Sequence, residues 1–198
     1  MIVQMTPQRL DPLAELGEWI EDARDAGLAH PASVAFVTVG TDSQPSARTV
    51  TLKRLEDDAL VFTTALWTRK AREIEANPQV ALLFHWPSLG RQVHLNGRAV
   101  QAERSLAEEL FAERDAAHQL QTVVSRQGEP IDSLDPLRDR LAHLAAVQET
   151  EPACPSDWGA FRVNPQTVEL WREAPDRLHE RRLFERDGAG WIVTLLSP

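Results

Sequence analysis

Short segments of β-type composition, separated by turns, fill the first half of the chain and most constrain its fold. They are rich in Val, Thr, Leu and Phe and lie at Ser33–Gly40, Ser46–Arg54, Ala59–Thr64, Gln79–Trp86 and Gln92–Val100. Strands joined by short connections pair antiparallel, because a parallel pair needs a crossover of about a dozen residues or more. Only one short helix is predicted among them, at Thr68–Ala76, so the regular strand–helix alternation of a parallel sheet is missing. We therefore expect an α+β fold built on a small antiparallel, barrel-like sheet.

Helical segments flank and follow these strands. Asp11 is a favourable N-cap, Pro12 suits the first helical position and Gly27 suits the C-terminal cap. These signals predict a helix from about Pro12 to Ala26. Further helices are predicted at Glu103–Val124 and Asp135–Gln148, and short strands at Gly159–Val163, Thr167–Arg172, His179–Glu185 and Trp191–Leu195. We expect one domain over residues 1–198, with an N-terminal helix at about 11–27, a helical insertion at 103–149 and C-terminal strands at 158–198.

Composition restricts the functional class more than the fold. The chain has 198 residues, 42% of them hydrophobic, and a formal net charge of −9, which argues against a nucleic-acid-binding surface. No apolar run approaches the roughly 20 residues of a membrane span, and the N-terminal residues lack the apolar core of a signal peptide. Cys154 is the only cysteine, so no internal disulfide is expected, and the reducing cytoplasm is the expected compartment.

An unusual helix start marks candidate binding residues. Arg69 and Lys70 directly follow the N-cap Thr68, although the partial positive charge of a helix N-terminus disfavours cations there. A bound phosphate would suit free N–H groups, a hydroxyl and two cations at one point. Two solvated surface cations are the alternative interpretation.

Two further sets of basic residues depend on strand geometry. Arg177, His179 and Arg181 stand at i, i+2 and i+4, a spacing that places them on one face of a strand. They either meet an anion or form an exposed face that pairs with carboxylates of a neighbouring strand. Arg48 and Lys53 have an odd separation, so they reach one ligand only at a bulge or a strand end.

The common catalytic motifs are missing from the sequence. No spacing of His, Cys, Asp and Glu matches a zinc or calcium site. Neither a P-loop, nor a Rossmann glycine pattern, nor a G-x-S-x-G elbow occurs. We therefore expect no metal centre and no hydrolytic triad.

Motifs in a fixed order carry a resemblance to a known family. The segments are RTVTLK at 48–53, VFTTALWTRK at 61–70, NPQVALLFHW at 77–86, RQV at 91–93, VSRQ at 124–127, WGAFRV at 158–163 and VELWREAPDRLHER at 168–181. The pattern W-x₅-R-x-H-x-R in the last segment is specific when it follows the others in this order. From about Asp11 onward, the chain resembles the pyridoxamine 5′-phosphate oxidase family of FMN-dependent enzymes. The resemblance implies an antiparallel, Greek-key-like split β-barrel with flanking helices and a two-fold dimer.

This resemblance also implies a cofactor and the residues that hold it. FMN would lie at the interface of a homodimer, with Arg48, Arg69 and Lys70 at its phosphate. The full set of matching positions is Arg48, Thr49, Val50, Thr51, Leu52, Lys53, Thr63, Thr64, Arg69, Lys70, Gln92, Gln127, Gly128, Trp171 and Arg181. The C-terminal members of the set would complete the site of the other subunit.

The implied reaction oxidises pyridoxamine or pyridoxine 5′-phosphate to pyridoxal 5′-phosphate. A hydride passes from substrate C4′ to flavin N5, and O₂ becomes hydrogen peroxide. Arg177 and His179 match the residues that lie against the substrate, and Lys53 and Arg114 match those at its phosphate, with His118 beside them.

Two departures from the family pattern leave the substrate open. Leu110 and His118 stand where the family has a tyrosine and a serine at the substrate phosphate. A small anionic aromatic substrate other than a B6 vitamer is therefore an alternative, as in phenazine-biosynthesis flavin oxidases. A flavin-binding protein without turnover is a third interpretation.

Overall fold

The computed structural model describes residues 11–147 and 152–198. The predicted helix end at Gln148, the last position of the predicted insertion and the first ten residues of the expected domain lie outside these ranges. The elements in chain order are α1 (Pro12–Asp25), β1 (Ser33–Val39), β2 (Pro45–Thr51), β3 (Arg54–Leu55), β4 (Leu60–Ala65), α2 (Arg69–Ala76), β5 (Gln79–Trp86), a 3₁₀ turn (Pro87–Leu89), β6 (Arg91–Gln101), α3 (Arg104–Ala112), α4 (Ala116–Val124), α5 (Asp135–Val147), β7 (Trp158–Arg172), β8 (Glu180–Asp187) and β9 (Gly190–Leu195).

Nine strands of the described ranges form one sheet in the order β2-β1-β5-β6-β7-β4-β3, with β8 added to β7 and β9 to β8. Every pairing is antiparallel. The long strand β7 joins the two parts of the sheet, because its first half pairs with β4 and its second half with β8. The predicted antiparallel α+β architecture is confirmed. No helix within the described ranges is long and apolar enough to cross a membrane.

Helix α1 begins and packs as the sequence predicts. The Asp11 carboxylate accepts hydrogen bonds from the backbone N–H groups of Leu13 and Ala14, which caps the first turn. The apolar stripe of the helix is buried in the main core, where Trp19 lies edge-on to Trp86 with ring centroids 6.5 Å apart. Each large apolar side chain buried in this way stabilises the fold by about 1.5–3 kcal/mol.

The predicted strand Ser46–Arg54 is confirmed up to Thr51, but its end is wrong because the chain changes partners at this point. β2 pairs with β1 and ends at Thr51, and β3 pairs with β4 from Arg54 onward. Between them the Leu52 N–H donates to Ala32 O at 2.9 Å, and the Lys53 N–H donates to Val61 O at 2.9 Å. The chain therefore crosses from one part of the barrel to the other at Leu52 and Lys53.

Two other predicted boundaries differ from the structure. The single helix expected at Glu103–Val124 is two helices, since Asp115 leaves the helical conformation and caps α4 through the backbone N–H of His118. The two short strands expected between Gly159 and Arg172 are one strand, β7. A register shift at Asn96 and Gly97 of β6 lets this strand pass Pro165 without a break.

A second, smaller core attaches the helical insertion to the barrel. Helix α3 buries Leu106, Ala107, Leu110 and Phe111 against residues of β4 and β7. The Phe111 and Trp158 rings meet edge to face with centroids 6.2 Å apart. This packing holds the insertion beside β4.

Candidate functional site

A cavity of about 260 Å³ opens between β2, β4, the start of α2 and the helical insertion. Residues from all four elements line it, including many that the family resemblance assigns to FMN or substrate. Those assigned residues are Thr49, Val50, Thr51, Lys53, Thr63, Thr64, Lys70, Arg114 and Gln127. The cavity therefore brings together most of the N-terminal half of the expected site.

Lys70 is the half-buried cation on one side of this cavity. Its Nζ lies 3.1 Å from Thr64 Oγ1 and 3.4 Å from Gln127 Oε1. Burial, and then the charge of Arg48, lower the pKa of Lys70 to about 8. Among the described residues no carboxylate pairs with it, so its charge is free to meet an anion.

Lys53 and Arg114 form a second pair of cations in the same cavity. Burial lowers the pKa of both groups, and the charge of Arg114 further lowers that of Lys53. The guanidinium carbon of Arg114 lies over the Trp158 ring, 4.7 Å from its centroid. Neither cation has a carboxylate within ion-pair distance in the described ranges, so an anionic group placed between them would relieve their repulsion.

Arg48 and Arg69 lie beside the cavity and not in its lining. Arg48 donates to Thr38 Oγ1 at 2.5 Å and to Ser46 Oγ at 2.6 Å. Both arginines also contact the buried carboxylate of Glu73. Of the other expected residues near this end, Leu52 is buried in the main core and Gly128 lies in an exposed turn with a φ of 89°.

The C-terminal residues of the expected site form a separate group. Gln92, Trp171 and Arg181 are register partners across β6, β7 and β8, so they lie side by side. The His179 ring centroid is 4.8 Å from that of Trp171, and Arg181 Nε donates to Glu169 Oε1 at 2.7 Å. This group therefore combines two aromatic rings with an arginine that is already paired with a carboxylate.

The expected common strand face of Arg177, His179 and Arg181 is wrong. β8 begins only at Glu180, and Arg177 lies in the preceding turn with a φ of 66°. The Arg177 N–H donates to Ala174 O at 3.0 Å, which closes the turn. His179 nevertheless reaches Trp171 because its Nδ1 accepts a hydrogen bond from the Ala174 N–H at 3.1 Å.

The two groups stand at opposite ends of β7. Thr63 is the register partner of Ala160, whereas Trp171 lies eleven residues further along the same strand. At 3.3 Å per residue this separation is about 36 Å of extended backbone. Within one chain, Thr63 and Trp171 therefore belong to different parts of the sheet.

His118 and Leu110, which match the family's positions at the substrate phosphate, do not line the cavity. The His118 side chain is 69% exposed and pairs with Asp115, and it does not line the cavity. Leu110 is 2% exposed within the second core. At these two positions the cavity gains no polar donor in place of the family's hydroxyl groups.

Several lining residues were not assigned from the sequence. They are Ala65, Trp67, Gln121, Thr122, Ser125 and Trp158. Trp158 and Trp67 lie within the matching segments, and Ser125 lies within VSRQ. The motifs could therefore have indicated these three residues as part of the site. Helix periodicity was the available signal for Gln121 and Thr122, which lie on α4, and Ser125 caps the C-terminus of that helix.

Comparison with known proteins covers almost the whole chain. Residues 20–172 match the family described as pyridoxamine 5′-phosphate oxidase. Residues 158–198 match the pyridoxine 5′-phosphate oxidase C-terminal dimerisation region, which indicates a homodimer.

Solved structures give the same fold. PhzG from Burkholderia lata 383, in complex with tetrahydrophenazine-1-carboxylic acid, superposes with a TM-score of 0.90 at 27% identity, over 100% of this chain and 99% of that one. A pyridoxamine 5′-phosphate oxidase-related, FMN-binding protein of Nostoc punctiforme superposes with a TM-score of 0.77 at 16% identity, over 99% and 100% of the two chains. The predicted split β-barrel is confirmed.

Named relatives are similar over nearly their full length. A pyridoxine/pyridoxamine 5′-phosphate oxidase of Rubrobacter xylanophilus is 43% identical over 189 residues, which cover 95% of this chain and 87% of that protein. Another, from Gluconobacter oxydans, is 38% identical and covers 96% of both chains. By the matched residues 20–172 and this level of identity, the chain belongs to the pyridoxamine 5′-phosphate oxidase family.

Proposed function

We propose that this protein is an FMN-dependent oxidase that converts pyridoxamine or pyridoxine 5′-phosphate to pyridoxal 5′-phosphate. The observation that carries the proposal is one cavity with two cationic positions. Lys70 lies beside Thr64 and Gln127, while Lys53 and Arg114 form the other position. A site that must hold a flavin phosphate and a substrate phosphate needs two such positions.

The cavity residues fit FMN on their own chemistry. Lys70 supplies an unpaired charge, Thr63 and Thr64 supply hydroxyl groups, and the edge of β2 supplies backbone donors and acceptors. The remaining cofactor contacts would come from the other residues that match the family. When bound, FMN accepts a hydride from substrate and passes the electron pair to O₂, which leaves as hydrogen peroxide.

The chain's own residues bind and orient the substrate. Lys53 and Arg114 hold its phosphate, and the planar guanidinium of Arg114 offers parallel donors to two phosphate oxygens. Arg177 and His179 lie against the substrate ring and hold C4′ towards the flavin. Substrate C4′ loses a hydride and its heteroatom loses a proton, so two electrons and two protons leave in total. Pyridoxine 5′-phosphate gives the aldehyde directly, whereas the imine from pyridoxamine 5′-phosphate takes up water and releases ammonia.

Each complete site requires two copies of the chain. The cavity residues and the Trp171 group are separated by about 36 Å of strand β7 in one chain. The match of residues 158–198 to a dimerisation region supports delivery of Trp171, Arg177, His179 and Arg181 from the second copy. A two-fold dimer would then hold two equivalent sites.

The visible spectrum of the purified protein tests cofactor and substrate together. We expect a bound flavin spectrum that bleaches on anaerobic addition of pyridoxamine 5′-phosphate, with one peroxide formed per pyridoxal phosphate once air is admitted. A protein that never binds FMN would overturn the proposal entirely. Tight FMN binding without bleaching would remove this substrate and leave the alternatives.

A phenazine-type oxidase is the second candidate function. Leu110 is buried and His118 turns away from the cavity, so the substrate-phosphate position lacks two of the family's hydroxyl donors. A carboxylate needs fewer donors than a phosphate, and the similarity to PhzG with its bound phenazine acid supports this alternative. Faster flavin reduction by a dihydrophenazine carboxylic acid than by pyridoxamine 5′-phosphate would favour it. Reduction by neither would favour a flavin-binding protein without turnover.

A further inference from the structure

Glu73 is a buried carboxylate of helix α2 that the proposed reaction does not use. It is 7% exposed, and four side chains donate hydrogen bonds to it. Its Oε2 accepts from Thr38 Oγ1 at 2.5 Å, Ser46 Oγ at 2.5 Å and Arg48 Nη2 at 3.3 Å, and its Oε1 accepts from Arg69 Nε at 2.6 Å. Burial alone would raise the pKa of Glu73, but these donors outweigh it and lower the pKa to about 2.

We propose that Glu73 is a positioning residue for the FMN phosphate, acting through Arg48 and Arg69. This inference rests on the proposed FMN binding and deepens it. Glu73 does not line the cavity, so any effect on a ligand passes through the side chains that it holds. The carboxylate joins the two arginines that the family resemblance places at the phosphate.

The direction of the contacts leaves the outer donors of Arg69 free. Glu73 engages Arg69 through Nε, which leaves the edge formed by the two Nη nitrogens free of this carboxylate. The Arg69 side chain is 59% exposed, which leaves those nitrogens accessible to a ligand. Glu73 therefore holds Arg69 at Nε and leaves the Nη edge of the guanidinium available to a ligand.

Arg48 is held more tightly, by a closed set of acceptors. Its Nη1 donates to Thr38 Oγ1 and Phe36 O, and its Nη2 donates to Ser46 Oγ and Glu73 Oε2. The two hydroxyl groups donate their own hydrogen bonds to Glu73, so the carboxylate determines the direction of the whole network. Arg48 thus supplies a positive charge at a fixed position, close enough to Lys70 to lower its pKa.

The charges in this cluster also match a phosphate. Arg48, Arg69 and Lys70 are three cations and Glu73 is one anion, which leaves a net charge of +2. A phosphate monoester carries about −1.5 to −2 at neutral pH. The carboxylate therefore orients the cations and keeps their summed charge close to that of the ligand.

A glutamine at this position cannot reproduce the network. Its amide replaces one acceptor oxygen with an NH₂ donor, which faces either Arg69 or the three donors at Oε2. At least one donor then loses its acceptor, and at least one arginine loses its position.

Flavin affinities of Glu73→Gln and Glu75→Gln test the proposal. Glu75 is an exposed residue of the same helix, so it controls for the loss of one negative charge. Fluorescence quenching would give the Kd of FMN and of riboflavin, which lacks the phosphate. For E73Q we expect FMN to bind about tenfold more weakly, a loss of about 1.4 kcal/mol. Riboflavin affinity is expected to stay unchanged, and E75Q to match the wild type with both flavins.

The outcomes separate this inference from the proposed function. Equal weakening of FMN and riboflavin by E73Q would mean a structural role only, and an unchanged FMN Kd would also overturn the inference. Should E73Q not fold, Ser46→Ala removes one donor to Glu73 at a partly exposed position, and the same selective loss for FMN is expected. A wild-type protein that binds neither flavin would instead refute the proposed FMN site itself.

Discussion

The ammonium nitrogen of Lys70 lies 3.1 Å from the hydroxyl oxygen of Thr64, at the point where β4 and α2 meet the cavity. Both groups face the same space, and Gln127 approaches the ammonium from the helical insertion at 3.4 Å. This cation is partly removed from water without gaining a carboxylate partner in the described ranges, an arrangement that costs free energy until an anion binds. The first two predictions depend on this relationship.

Lys70→Glu is expected to abolish FMN retention, because it places a carboxylate where the proposed site holds the flavin phosphate. Arg72→Glu makes the same charge change on an exposed position of α2 and is expected to leave FMN retention unchanged. The ratio of flavin to protein absorbance after purification measures the effect. A K70E protein that purifies with full flavin content would count against the placement of the phosphate.

FMN affinity is expected to fall as the pH rises through about 8, where Lys70 loses its proton in the free protein. Below that pH the ammonium is charged and favours the phosphate; above it the neutral amine no longer does, so binding must take up a proton. Titration of flavin fluorescence at a series of pH values measures this dependence. Riboflavin, which lacks the phosphate, is the control, and its affinity is expected to show no such decline. An FMN affinity that stays constant up to pH 10 would contradict the role of Lys70.

The sequence was most informative where one local rule decides the structure. Asp11 caps α1 as predicted, and the β-type segments became strands because their side chains fill a barrel core. The break at Leu52 and Lys53 was not predictable in this way, since each residue suits a strand and only the change of partner from β1 to β4 interrupts it. Long-range pairing decides that boundary, and composition does not.

In the candidate site, too, local sequence rules predicted some residues, and long-range contacts decided the others. The rule-breaking start of α2 pointed to Lys70 from sequence alone, and the structure places Lys70 in the cavity. Glu73 was missed because an Arg69–Glu73 pair at i, i+4 is typical of an exposed helix face, and its burial depends on Thr38 and Ser46 from other strands. The spacing of Arg177 suggested a strand, but its φ of 66° is not a strand conformation, and the residue lies in the turn before β8.

Gly97→Ala is expected to destabilise the barrel. A Cβ at position 97 would overlap the backbone oxygen of Asn164 and would lie 2.9 Å from Pro165 Cα, so β6 or β7 must shift. Overpacking of this kind costs about 1–3 kcal/mol. Thermal unfolding at fixed protein concentration measures the change in Tm. Gly190→Ala is the control, because the added Cβ would meet only Asp187 O at 3.7 Å, and it is expected to leave the Tm nearly unchanged. Equal Tm values for G97A and the wild type would contradict the close approach of β6 and β7 at Gly97.

Arg177→Ala is expected to spare the flavin and slow turnover. Arg177 is exposed at the turn before β8 and, in the proposed site, its guanidinium contacts the substrate and not the FMN phosphate. Loss of a hydrogen bond to a charged group costs about 1.5–3 kcal/mol, which corresponds to a fall of roughly tenfold to a hundredfold in kcat/KM. Arg186→Ala, where the arginine stacks on Trp191 in the C-terminal strands, is the control. Unchanged steady-state kinetics for R177A would remove Arg177 from the substrate site.

Co-expression of two impaired variants is expected to restore activity if each site draws on two copies. In a mixed dimer of Lys70→Glu and Arg177→Ala, one site carries both changes and the other carries neither, because Lys70 lines the cavity of one chain and Arg177 arrives from its partner. Random pairing makes about half of the dimers mixed, so roughly a quarter of the wild-type activity is expected. Differently tagged chains, purified sequentially, would isolate the mixed dimer for the measurement. If every site were formed within one chain, the mixed dimer would show no more than the residual activity of R177A, and the composite site would be refuted.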